Sequence, residues 1–132
     1  VNQFISAVAL VVPDYDAAIG FYVGRLGWTL LTDTPQGERR RWVTVAPPGN
    51  RPDAPGTQVV LARAVDAAQR AAIGNQTGGR VGFFLHTDDF ARDHAAMLAA
   101  GVVFEEAPRH EPYGTVAVWR DPFGNRWDLI GR

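Results

Sequence analysis

The chain has 132 residues with no cysteine and a formal net charge of −1, a length that suits one domain burying roughly two thirds of its unfolded surface. Disulfides, thiolate metal sites and cysteine nucleophiles are excluded, and a reducing, cytoplasmic setting is expected. So small a charge provides no field to draw in a polyanion, and the only dense basic run is Arg39, Arg40 and Arg41, so nucleic acid is not an expected partner.

The first apolar run, Phe4 to Val12, ends at Pro13. It is too short to span a membrane, lacks the basic flank and cleavage site of a signal peptide, and predicts a buried strand. Asp14 then supplies an N-cap. Ala17, Ala18, Phe21, Tyr22 and Leu26 recur at helical spacing up to Gly27, which predicts a helix over 14–26. Trp28 to Leu31, Trp42 to Ala46 and Thr57 to Ala62 are β-prone, separated by a turn at Gln36-Gly37 and a loop over 47–56 rich in Pro and Gly. Ala64 to Ile73 predicts a short helix, and Gly74 to Gly79 a flexible connection. The order then repeats: a strand at Val81 to Thr87, an N-cap at Asp89, a helix over 90–100, a stop at Gly101. Strands follow at Val102 to Glu106, Thr115 to Arg120 and Arg126 to Ile130, with Asp121-Pro122-Phe123-Gly124 as the last turn.

Three punctuation marks recur in one order. Asp14 and Asp89 are 75 residues apart, Gly27 and Gly101 are 74, and Gly49-Asn50 and Gly124-Asn125 are 75. One supersecondary unit has been duplicated, with module one at about 1–73 and module two at about 80–132 of a single domain. Aligning Leu61 with Leu129 gives an offset of 68, which puts an insertion of about seven residues in the loop from Arg51 to Gly56. A single ferredoxin-like sheet is the main competing architecture.

The segments Val8-Ala9-Leu10-Val11-Val12-Pro13-Asp14, Ala17-Ala18-Ile19-Gly20-Phe21-Tyr22 and Leu26-Gly27-Trp28 resemble the opening of the vicinal oxygen chelate superfamily, which includes glyoxalases, bleomycin resistance proteins and extradiol dioxygenases. Thr87-Asp88-Asp89-Phe90 resembles its second helix start, and Arg120-Asp121-Pro122-Phe123-Gly124-Asn125-Arg126-Trp127-Asp128-Leu129-Ile130 its closing signature. The resemblance implies an α+β fold of two βαβββ modules forming a cupped mixed β-sheet half-barrel around a pocket. It also implies two His and one or two acidic metal ligands on the inward strand faces. At those positions this sequence has Ala7, Gly82 and Val60, with Gln58 near the last; only Asp128 fits. No cofactor is therefore expected from the inherited set, since divalent metals usually take three protein ligands.

Alternation places His86 on the same side of its strand as Phe84 and Gly82, as a binding residue or as a strand-end histidine bonded to backbone or water. Asp128 shares a face with Arg126 and Ile130, as a ligand-binding carboxylate or one half of an Asp–Arg pair. Asp128 and His86 could together perform acid–base chemistry if they converge. His110, Glu111 and Tyr113 fall in a polar loop near the pocket mouth, and His86, Glu111 and Asp128 form the set that would hold a divalent metal if a new site exists. Trp42, Phe84 and Trp119 are candidate aromatic walls, with Thr44 and Trp119 matched at the 75 offset, while Arg40 and Arg41 could meet a carboxylate or simply face solvent. The resemblance implies a small-molecule-binding protein, pairing as a homodimer and sequestering or detoxifying a hydrophobic or aromatic compound. The alternatives are a metal-dependent lyase, isomerase or dioxygenase with a rearranged ligand set, and an inactive interaction subunit whose own side chains fill the cavity.

Overall fold

The computed structural model describes residues 1–49 and 56–132. Asn50 and the body of the expected insertion, 51–55, lie outside the described residues. Packing divides the chain into two units, Val1–Ala71 and Ala72–Arg132.

In the first unit, β1 (Ala7–Val12) leads into α1 (Tyr15–Ile19), which continues as a π-helical turn (Gly20–Arg25). β2 (Thr29–Pro35), β3 (Arg41–Ala46), β4 (Gln58–Arg63) and α2 (Ala67–Ala72) follow. The sheet order is β1-β4-β3-β2, with β1 parallel to β4 and the other pairs antiparallel. Asp14 caps α1 as expected, accepting from the Ala17 N–H at 2.8 Å. Leu10, Val12, Val43, Val45, Val59 and Leu61 are buried on one face of the sheet, and α1 with its π turn brings buried Ala18, Phe21 and Tyr22. Each such side chain contributes about 1.5–3 kcal/mol on burial, enough to make this face the unit's core. Residues one step out of phase face away from it, Ala9 and Trp42 exposed and Thr44 and Ala46 buried.

The second unit repeats the plan with β5 (Phe83–Thr87), α3 (Phe90–Ala99), β6 (Val103–Phe104), β7 (Arg109–Glu111), β8 (Gly114–Arg120) and β9 (Arg126–Gly131). Its order is β5-β9-β8-β6, with β7 paired to β8. The fold is thus α+β with two mixed sheets of four and five strands, not one ferredoxin-like sheet. Asp89 caps α3 through the Arg92 N–H at 3.1 Å, and Gly101 ends it with a φ of 83°. Trp119 and Trp127 stack at 5.1 Å between ring centroids, and Phe83 stacks on Trp127 at 4.8 Å. With Leu85, Ala117, Leu129 and Phe104 these rings share one face of the sheet. α3 packs against β9.

Strand register supports the duplication. Leu10 pairs with Leu61 as Leu85 pairs with Leu129, and Ala9 pairs with Val60 as Phe84 pairs with Asp128. Two expectations are corrected. The polar loop around His110 and Glu111 is strand β7, which forms a hairpin with β8. The supposedly flexible connection at 74–79 is a run of closed turns: the Gly78 N–H donates to Asn75 O at 3.1 Å and Thr77 Oγ1 to Arg80 O at 2.6 Å. It is tied down further by Arg126, whose Nη1 donates to Gly79 O at 2.9 Å.

Candidate functional site

The face of the second sheet opposite the Trp119–Trp127 stack carries exposed Phe84 and His86 beside buried Val116, Val118 and Ile130. Register sets its residues in rows across the strands. Val118, Asp128 and Phe84 form one row, and Arg109, Val116, Ile130 and His86 form the next. Arg120 and Arg126 make a third, on the side nearer Gly82. Phe84 is 59% exposed although it sits in mid-strand, and His86 is exposed beside it.

Charged groups surround this face. Glu105 is held by both Arg120 and Arg126, with Arg126 Nη2 donating to Glu105 Oε2 at 2.8 Å. Arg109 bonds Glu106 and, at 2.9 Å through Nη1, Glu111. The expected Asp128–Arg126 pair does not form, because Arg126 spends its donors on Glu105 and Gly79. Asp128 Oδ1 is buried with no hydrogen-bond partner among the described residues. Burial raises the Asp128 carboxyl above the ordinary value of 3.8; nearby Arg109 and Arg126 lower it and Glu106 raises it, which leaves it raised.

A raised folded-state pKa makes the protonated acid the better tolerated form. The stability that proton brings is complete below 3.8 and is lost as pH rises through the folded-state value. Asp128→Val, which installs the residue found at the matching Val60, should therefore stabilise the fold by about 1 kcal/mol at neutral pH. The gain should shrink as the pH falls through the raised folded-state value and level off below 3.8. Melting curves at both pH values check this; a variant less stable than the parent at pH 7 would mean that the carboxylate is paired.

The other candidates separate. Trp119 is fully buried on the opposite face, and alternation turns His110 the same way, its Nδ1 lying 3.2 Å from Thr115 Oγ1. Trp119 therefore does not line the face that carries Phe84, His86 and Asp128. Glu111 shares the Asp128 side but is held by Arg109, and Tyr113 lies in the β7–β8 turn, 67% exposed. Trp42 belongs to the first unit, on the outward face of β3, 43% exposed. Arg41 is not a free rim charge, because its guanidinium bonds both Asp33 and Asp16. Glu105, Glu106, Arg109 and Arg120 were not singled out from the sequence; the alternation of Arg109 and Glu111 ahead of Pro112-Tyr113-Gly114 was the available signal for β7.

The inherited metal-ligand positions do not fit a metal. Ala7, Gly82 and Val60 have no donor atom in their side chains, leaving Asp128 as the sole carboxylate. Among the described residues no three His, Asp or Glu side chains are gathered as a ligand set, and His86, Glu111 and Asp128 are not brought together. No helix among the described residues is long and apolar enough to cross a membrane.

The chain belongs to the glyoxalase/bleomycin resistance protein/dioxygenase superfamily, whose family model matches residues 4–129. An uncharacterized protein of Shewanella frigidimarina (strain NCIMB 400) is 50% identical over 130 residues, covering 98% of this chain and 93% of that protein. Among solved structures, UcmS2 superposes with a TM-score of 0.82 at 30% identity, covering 98% of each chain. TnmS3, described as an antibiotic-binding protein from Streptomyces sp. CB03234, superposes with a TM-score of 0.76 at 31% identity, covering 98% of this chain and 96% of that one.

Proposed function

We propose that the chain is a cytoplasmic, homodimeric small-molecule-binding protein that works without the inherited metal and sequesters or detoxifies a hydrophobic or aromatic compound on the face of β5, β9 and β8 that carries Phe84. The observation that carries this reading is Phe84, 59% exposed in mid-strand, beside Asp128, whose Oδ1 has no hydrogen-bond partner among the described residues. An exposed ring offers stacking and apolar area, and the half-buried carboxyl of Asp128 beside it offers a polar contact, the combination that orients a planar ligand. The likeness to an antibiotic-binding protein at 31% identity supports it.

The test is a thermal-shift screen of planar aromatic antibiotics alongside Mg²⁺, Mn²⁺ and Zn²⁺. A ligand at a hundred times its Kd should stabilise the fold by about 2.7 kcal/mol, and Phe84→Ala should weaken binding about tenfold or more. A divalent metal that stabilises at stoichiometric amounts, and no longer does so in His86→Ala or Asp128→Val, would overturn the metal-free reading.

A further inference from the structure

The first unit has a cleft of about 460 Å³ that the binding face does not use. Its lining includes Arg39, Arg40, Arg41 and Arg63 around Tyr15, with Asp14 as its carboxylate. The Arg41 and Arg63 guanidinium carbons lie 5.2 and 6.0 Å from the centre of the Tyr15 ring. Arg41 is fully committed. Its Nε and Nη2 hold Asp33 and its Nη1 holds Asp16, while its backbone N–H donates to the Tyr15 hydroxyl oxygen at 3.2 Å. That bond uses the phenol as an acceptor, so among the described residues its own proton has no acceptor.

Among the described residues no carboxylate is paired with the other three guanidiniums. Arg63 donates one bond, from Nη2 to the Arg39 carbonyl at 3.1 Å, and among the described residues neither Arg39 nor Arg40 meets a carboxylate. Asp14 brings one negative charge to the lining, with its Oδ2 accepting from the Ala17 N–H. Three guanidiniums thus line one concavity with the Tyr15 hydroxyl, against the single carboxylate of Asp14. A bound oxyanion would relieve their repulsion. A carboxylate brings two oxygens and one charge. A phosphate monoester brings three terminal oxygens and nearly two charges, the closer match to three forked donors.

We propose that this cleft is a binding site for the phosphoryl group of a small molecule, held by Arg39, Arg40, Arg63 and the Tyr15 hydroxyl. It lies wholly within the first unit, whereas the proposed aromatic-ligand face is made of strands of the second.

The test is calorimetric titration of the full chain with inorganic phosphate, pyrophosphate and phenyl phosphate in buffer of physiological ionic strength. Saturable binding at one site per chain is expected. It should weaken at least tenfold in the Arg40→Gln/Arg63→Gln double variant, fall a few-fold in Tyr15→Phe, and be unchanged in Phe84→Ala. Arg39→Gly guards against misfolding. Arg39 has a φ of 63°, a backbone setting that glycine adopts freely, so this variant should melt no lower than the parent while binding more weakly. Phosphate binding as tightly as phenyl phosphate assigns the site to the free ion, and tighter phenyl phosphate assigns it to an ester. Absence of saturable binding, binding that survives in the double variant, or binding of an oligonucleotide but of none of the three probes would each overturn the proposal.

Discussion

Trp119→Ala is expected to destabilise the protein by about 3–5 kcal/mol, the usual loss for a large aromatic removed from a core. For a chain of this size that lowers the melting midpoint by roughly 10 °C or more. Trp119 is 0% exposed, stacked on Trp127 and paired across the ladder with it and with Phe104. No neighbour can collapse into so large a void without breaking the row of rings from Phe83 to Trp119. Trp42→Ala is the contrast. Its ring is 43% exposed, and the loss should stay within about 1 kcal/mol. Denaturant titration of both variants gives the comparison. A Trp119→Ala protein as stable as the parent but unable to bind an aromatic ligand would put the ring on the Phe84 face and refute the register.

The sequence shows why Trp119 was easily assigned to the wrong side. Asp14 and Asp89 are 75 residues apart, but Gly27 and Gly101 are 74. The residue responsible sits in the π-helical turn Gly20–Arg25, where the Leu26 N–H reaches back five residues to Phe21 O, a geometry that accommodates one extra residue in a helix. From there the offset stays at 74 into the next strands, for Thr44 pairs with Val60 as Val118 pairs with Asp128. Thr44 therefore matches Val118, not Trp119. Because strand side chains alternate, a slip of one residue exchanges the two faces. The one-residue difference that decides the face is carried by the spacing of Gly27 and Gly101.

Elements, caps and the duplication were legible because each depends on local chemistry: Asp14 and Asp89 at helix starts, Gly101 at a stop, short apolar runs in β8 and β9. The Phe84, His86 and Asp128 side of the second sheet was legible for the same reason. Partners were not. Alternation says that Arg126 and Asp128 share a face, but it cannot say that Glu105, arriving from β6, will take the Arg126 guanidinium through both carboxylate oxygens. That competition leaves Asp128 without its expected mate and its Oδ1 without a hydrogen-bond partner among the described residues.

Gly74→Ala is expected to be the most damaging small change in the chain, at about 3 kcal/mol or more. Gly74 has a φ of 70°, which costs an L-residue roughly 1–2 kcal/mol. A Cβ there would lie 2.0 Å from the Phe123 carbonyl oxygen, 2.9 Å from its carbon and 3.2 Å from Gly124 Cα. All three are backbone atoms, so no rotamer change relieves the overlap, and overpacking adds about 1–3 kcal/mol. The turn carrying Phe123 is itself braced. Asp121 Oδ1 accepts from the Phe123 and Asn125 N–H groups at 2.9 Å each, and Asn125 Nδ2 donates to Asp121 Oδ2 at 2.6 Å. Since this turn leads directly into β9, any displacement should also shift Arg126 and Asp128 and weaken ligand binding at the Phe84 face. Gly20→Ala is the control. It has a helical φ of −57° and open space around its Cβ position, and it should stabilise by about 0.5–1 kcal/mol. Thermal melts of the pair should move in opposite directions. A Gly74→Ala protein that melts with the parent would show that the 74–79 connection does not pack against the Asp121–Asn125 turn.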